Sequence, residues 1–369
     1  MRCLKLAATT LLVLLLAISA GCERKIVMNE DGGGGVTELQ CFGCHTDQDL
    51  SLVEARAQWE TSNHGIMETV DRGSSGSCRP CHSSEGFLEN VTGEDFDGEA
   101  VSKIGCFTCH APHTNETFAL RTEEAVTLRN SATFDRGKGN LCARCHHSRQ
   151  NVDTYVFDGV ELSQHFGPHH SNQSDMLAGE NAYEYEGVSY TNSPHTTFVV
   201  NACVDCHKAD PVARYVGGHT FRMVYGEEDD EDINVDNACN VSGCHSDLED
   251  YNRPATADFD WDDETEGVQD EIEGLLDSLK TLLINEGLLV YYEEDDAYEP
   301  PEDYIVSDAD SAGAVFNYLY VHEDKSEGIH NTSYAVALLQ SSINFIANGD
   351  PTEAPATPTG PPFAAIRSH

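Results

Sequence analysis

Apolar residues fall into a helical period in only a few stretches of the 369-residue chain. The clearest is Val268, Ile272, Leu275, Leu276, Leu279, Leu282 and Leu283, with Asp and Glu on the opposite face. That spacing predicts an amphipathic helix whose apolar side packs back onto the preceding chain. Further helices are predicted over Leu50–Glu60, Ala312–Val321 and Thr332–Ala347, the last with Asn331 as N-cap and Gly349 just past its end. From residue 41 to 250, Gly, Ser, Asn, Asp and Thr break every run, so short helices, long loops and little sheet are expected. The fold class is mainly α, low in secondary structure. Residues 349–369 hold five prolines between Pro351 and Pro362 and no periodicity, which reads as a disordered Pro-rich tail.

The first apolar run differs. Arg2 and Lys5 precede Leu11–Leu16, which continues through Ala17, Ile18 and Ala20. It is too short to span a bilayer and has the order of a secretory signal, so residues 1–21 are expected to be removed. Ile18-Ser19-Ala20-Gly21-Cys22 resembles a bacterial lipoprotein cleavage box, with Ser19 where that family usually has Leu. The resemblance makes Cys22 the lipidated residue; ordinary cleavage after Ala20 is the alternative. Residues 22–40, with Gly32 to Gly35 in a row, read as a flexible tether. The expectation is an exported protein of the periplasm, outer membrane or cell surface, held to a membrane only through lipid.

Charge removes another class. Asp plus Glu number 64 against 21 Lys plus Arg, a formal charge of −43, which excludes a general nucleic-acid binder. Hydrophobic content of 39% makes an apolar core alone thin for this length. Fourteen Cys and 17 His suggest what else holds the chain.

Cys41-Phe42-Gly43-Cys44-His45 is C-x-x-C-H, the attachment pattern of c-type haem. It recurs as Cys78, Cys81 and His82; Cys106, Cys109 and His110; Cys142, Cys145 and His146; and Cys203, Cys206 and His207. A sixth copy, Cys239, Cys244 and His245, has four residues between its cysteines. Two thiols close in sequence add to the two vinyl groups of one porphyrin, and the next residue offers an imidazole to the iron. Six motifs use twelve Cys and leave only Cys3 and Cys22, both in the leader. A disulfide framework would not place His after the second Cys six times. Zinc sites need a further pair of ligands per ion, and iron–sulfur clusters use denser Cys runs.

On these motifs the chain resembles bacterial multihaem c-type cytochromes over residues 41 to 346, near those secreted to the cell surface by metal-reducing bacteria. Some of that group polymerise into conductive filaments. The resemblance implies a hexahaem protein with six covalent haem c groups and a haem stack as core. It also makes Gly167-Pro168-His169-His170-Ser171-Asn172-Gln173, Gly217-Gly218-His219-Thr220-Phe221 and Gly328-Ile329-His330-Asn331 look like distal-ligand segments. Residues 41–250 are the expected multihaem domain. Residues 251–348 are an acidic helical region docking on it, because His330 precedes the last helix.

The second axial ligand separates an electron carrier from an enzyme, since two imidazoles leave iron no open position. Beyond the proximal His45, His82, His110, His146, His207 and His245, the distal candidates are His64, His113, His169, His170, His195, His219 and His330. His147, His165, His322 and His369 rank lower, and only one of His169 and His170 is expected to ligate. Met28, Met67, Met176 and Met223 make Met ligation a minority arrangement. The leading reading is electron transfer, not catalysis, with other redox proteins or an extracellular electron acceptor as partners. Alternatives are a reductase of nitrite, hydroxylamine or a sulfur oxyanion with one open haem, and a filament-forming homopolymer. Residues 221–310 carry 30 acidic and three basic residues. They read first as a solvated surface, then as an improvised calcium site such as Glu227 to Asp232, then as an attraction for cationic partners.

Overall fold

The computed structural model describes residues 50–66, 69–96, 101–115, 117–213, 215–226 and 233–354. All lie within one compact unit, Glu38–His369. The leader, the tether, Cys22, the motif Cys41–His45, Glu227 to Asp232 and His369 fall outside the described residues.

Up to about residue 265 the chain forms short helices, turns and two-residue strands. The longest helices there are α1 (Leu50–Trp59) and α2 (Ser84–Thr92). Sheet is confined to four two-stranded antiparallel pairs among the described residues. One of these is long-range: Glu161 pairs with Ile305 and Leu162 with Tyr304, which ties the middle of the chain to the acidic region.

Beyond residue 265 the pattern becomes sustained, and the structure follows it. Helix α3 (Val268–Asn285) buries Val268, Ile272, Leu275, Leu279 and Leu283. Helix α4 (Ala309–Asp324) starts at Asp308, whose side chain accepts a hydrogen bond from Ser311 N at 2.7 Å. That cap explains why α4 begins before the expected Ala312. Helix α5 (Thr332–Asn348) ends at Gly349, whose φ of +75° is the left-handed turn that glycine supplies without strain.

The apolar face of α3 packs on the preceding chain, as expected, and also on the two helices that follow it. Its leucines meet Phe316 and Tyr320 of α4 and Tyr334, Leu338 and Ile343 of α5, with Leu162, Phe166 and Met176 completing one side-chain core. Three apolar stripes in one stretch of chain can bury each other, each fully buried Leu or Ile contributing about 1.5–3 kcal/mol. The core therefore does not require a cofactor face. The N-terminal part is the reverse: among described residues 50–125 only Phe87 and Ala111 are buried apolar side chains.

Asn331 departs from expectation. It occupies the N-cap position of α5 but makes no capping bond. Its amide donates to Met176 O at 3.1 Å and Asn192 Oδ1 at 2.7 Å, and its Oδ1 accepts from Ser193 N at 2.8 Å. The cap comes from elsewhere in sequence: Ser193 Oγ accepts from Ser333 N at 2.9 Å.

Candidate functional site

Each regular motif that the structure describes coils into a short turn. Helical turns cover Arg79–His82, Cys106–Cys109, Asn140–Ala143 and Cys203–His207. Three residues apart on a turn, the two cysteines share one side, so both thiols can reach one flat ligand. The amide of the motif His closes the turn onto the carbonyl of the first Cys: His82 to Cys78 at 3.1 Å, His110 to Cys106 at 2.9 Å and His146 to Cys142 at 2.9 Å. The expanded motif keeps this bond, with His245 N at 3.1 Å from Cys239 O. Its two extra residues loop out, with Gly243 at a φ of +92°.

Five motif histidines face a second histidine from elsewhere in the chain. Ring centroids are 6.3 Å apart for His82 and His169, 6.3 Å for His110 and His219, and 6.1 Å for His146 and His64. They are 6.2 Å apart for His207 and His330 and for His245 and His195. This spacing can be tested against coordination. A metal–imidazole bond of about 2.0–2.1 Å, with about 1.1 Å from nitrogen to ring centre, puts two axial imidazoles on one metal about 6.3 Å apart. Direct ring packing would allow closer approach. The donor set fits an iron held between two imidazoles, with two thiols beside it for the porphyrin.

Ring orientation is set by the other nitrogen. The Nδ1 atoms of His110, His195 and His207 lie 3.3, 2.8 and 3.0 Å from the carbonyls of Ala119, Ile329 and Phe221. His146 Nδ1 is 3.2 Å from Gln173 Oε1, and His330 Nδ1 is 2.7 Å from Asp324 Oδ1. Metal-binding histidines commonly anchor Nδ1 in this way and present Nε2. Burial holds His64 and His219 down to about 4, so each ring is neutral at pH 7 with a lone pair to donate. For His330 burial also pulls down, but the Asp324 carboxylate outweighs it and the net shift is upward.

The motifs also lie against one another. Cys81 Sγ is 3.7 Å from Arg144 O, and Cys145 Sγ is 3.9 Å from Pro80 O, so the second and fourth motifs meet reciprocally. The neighbouring Cys142 thiol, with burial, holds the Cys203 thiol well above its usual range, which places the fifth motif beside the fourth. Burial and then the neighbouring Cys239 push the Cys206 thiol up to about 12, which places the sixth motif beside the fifth. Spatial order therefore differs from chain order.

Of the seven distal candidates, His64, His169, His195, His219 and His330 stand opposite motif histidines. Of the two adjacent histidines, His169 is the one whose ring faces a motif histidine, with its backbone at a φ of +75°. His170 points to Glu323, 2.7 Å away. His113 neighbours the Phe107 ring at 5.8 Å and has no ring contact with a histidine among the described residues. His147 Nδ1 bonds Ala143 O at 2.9 Å, His322 stacks on Tyr318 at 5.7 Å, and His165 is exposed. Met176 is fully buried in the apolar core.

Sequence reasoning assigned no role to Asp324, Gln173 or Phe221, which touch the paired rings; Gln173 and Phe221 lie in segments singled out only for their histidines. It also passed over Asp258, Asp260 and Asp262, whose ligand atoms lie within 4.8 Å of one another. Their alternating spacing was the readable signal.

No family model matches the chain, and no solved structure matches it. The C-type polyheme cytochrome OmcC of Geobacter sulfurreducens is 24% identical over 352 residues, covering 76% of this chain and 44% of that protein. The chain thus spans less than half the length of this relative, and it is similar, at that distance, to a multihaem c-type cytochrome.

Proposed function

We propose that the chain is a hexahaem c-type cytochrome that carries electrons outside the cytoplasm. The observation that supports this best is the set of five motif-to-distant histidine pairs at 6.1 to 6.3 Å. Cys78, Cys81, His82 and His169 would hold one haem, and Cys106, Cys109, His110 and His219 another. Cys142, Cys145 and His146 would act with His64, Cys203, Cys206 and His207 with His330, and Cys239, Cys244 and His245 with His195. Cys41, Cys44 and His45 would hold the sixth.

The bound haem supplies a one-electron iron couple. The chain's own residues do the rest. With haem bound, the paired histidines would leave no open position for an exogenous substrate, which favours a carrier over a reductase. Carbonyl and carboxylate partners at Nδ1 fix the rings and so limit rearrangement as charge changes. Contact between motifs brings consecutive groups close, and the scarcity of buried apolar side chains before residue 125 suits a stack of haems as the local core. No helix among the described residues is long and apolar enough to cross a membrane. Export to the periplasm, outer membrane or cell surface, with lipid on Cys22, remains part of the proposal.

The test is the mass of the mature protein, which should exceed its polypeptide by six haems. Electron paramagnetic resonance of the oxidised form should show low-spin iron alone. Fewer than six haems would defeat the hexahaem reading, and high-spin iron in the untreated protein would defeat the carrier reading.

A further inference from the structure

Phe221 touches three of the histidine pairs at once. Its ring lies edge-on to His64, with centroids 5.4 Å apart at 73°, and edge-on to His219 at 6.1 Å and 79°. Its carbonyl is the partner of His207 Nδ1 at 3.0 Å. These histidines belong to the fourth, third and fifth motif sites respectively, so one residue stands at their junction.

The backbone around it is held for that position. Phe221 has a φ of +58°, a left-handed conformation that is rare for a bulky residue and survives only where the surroundings impose it. The surroundings do. Thr220 Oγ1 donates to Gly217 O at 2.7 Å and accepts from Arg222 N at 3.2 Å, and Gly217 N donates to Arg222 O at 3.0 Å. The turn is also clamped to α1, the helix before His64: the buried Gln58 accepts from His219 N at 2.8 Å. His64 and His219 are thus set against the same ring from opposite segments.

We infer that Phe221 is a shared positioning residue: its ring fixes the angles of the His64 and His219 imidazoles, while its carbonyl separately fixes His207. The inference rests on the ligand pairing proposed above. It deepens that reading by linking three sites through one side chain.

Phe221→Gly separates the two roles. Glycine relaxes the backbone at positive φ and keeps the carbonyl, but removes the ring. Low-spin signals in electron paramagnetic resonance respond to the angle between the two axial imidazoles. In haem-loaded, full-length Phe221→Gly two signals should shift, those of the His64/His146 and His110/His219 sites. The His207/His330 signal should stay, and Phe221→Tyr, which retains the ring, should restore the native pattern. His64→Met and His219→Met, each altering one signal, identify the two in question. Loss of those two haems alone from the glycine variant would equally support the inference. An unchanged spectrum at full haem content, or a uniform change across all sites, would overturn it. A native protein without low-spin bis-imidazole signals would instead overturn the haem pairing itself, before any variant is compared.

Discussion

Ser193 and Asn331 lie 138 residues apart in sequence, yet Ser193 N donates to Asn331 Oδ1 at 2.8 Å. Ser193 Oγ returns the link by accepting from Ser333 N at 2.9 Å. Each stands close to a paired histidine, since His195 follows the first and His330 precedes the second. The Ile329 carbonyl at 2.8 Å from His195 Nδ1 completes the stitch. The start of α5 therefore positions histidines of both the fifth and sixth motif sites.

Asn331→Ala should affect both of those sites together. The side chain is fully buried and makes three hydrogen bonds, so removal strands buried backbone groups at a cost of about 1–3 kcal/mol each. Unfolding in denaturant should show a loss of that order. Redox titration should move the His207/His330 and His245/His195 haems and leave the His82/His169 haem unchanged. A shift at only one site would mean that the stitch does not couple them.

His330→Ala should open one iron. High-spin signal should appear and cyanide should bind, neither of which is expected for the native protein. Asp324→Asn is the subtler test. Asp324 is 2% exposed and its carboxylate lies 2.7 Å from His330 Nδ1. The neutral amide should keep the iron low-spin but raise its reduction potential, because a less basic imidazole and one fewer nearby negative charge both disfavour the oxidised state. An unchanged potential would show that Asp324 does not act through His330.

The parts legible in the sequence were those written locally. The motif spacing displays the cysteines, and the 3.6-residue period of Val268 to Leu283 displays α3. Which histidine faces which motif was not legible, because pairs such as His64 with His146 are made by chain closure over long separations. His169 and His170 illustrate the limit. Adjacent and chemically identical, they are told apart by the backbone turn at His169 and by Glu323, neither of which has a local sequence signature. Asn331 failed in the opposite sense: its cap position was readable, but a distant serine satisfies the helix and frees the amide for tertiary contacts.

Leu279→Ala tests whether the three-helix core stands without a cofactor face. Leu279 is fully buried between α4 and α5, so a cavity there should cost about 2–5 kcal/mol. Denaturant unfolding followed by tyrosine fluorescence should shift by that amount, with the haem spectrum of the folded protein unchanged. A spectral change in the folded state would mean that this core borders a haem.

The acidic loop before α3 should give the stability a pH dependence of definite sign. Burial, followed by the carboxylates of Asp262, Glu271 and Asp258, pushes Asp260 from its usual 3.8 up to about 7. The folded chain then holds a proton that the unfolded chain has released. Stability from this group is complete below about pH 4, falls as pH rises toward about 7, and is level above. Asp260→Asn keeps the shape without the charge. Measured in a chelating buffer, so that no divalent cation screens the cluster, the variant should match the native protein at pH 4 and exceed it at pH 8. The gap should open between those values and shrink at high salt, since Asp260 is only half-buried and Asp262, its strongest charged neighbour, is exposed. A gap that stays constant across the range would place the effect of the substitution in packing and not in the charge of Asp260.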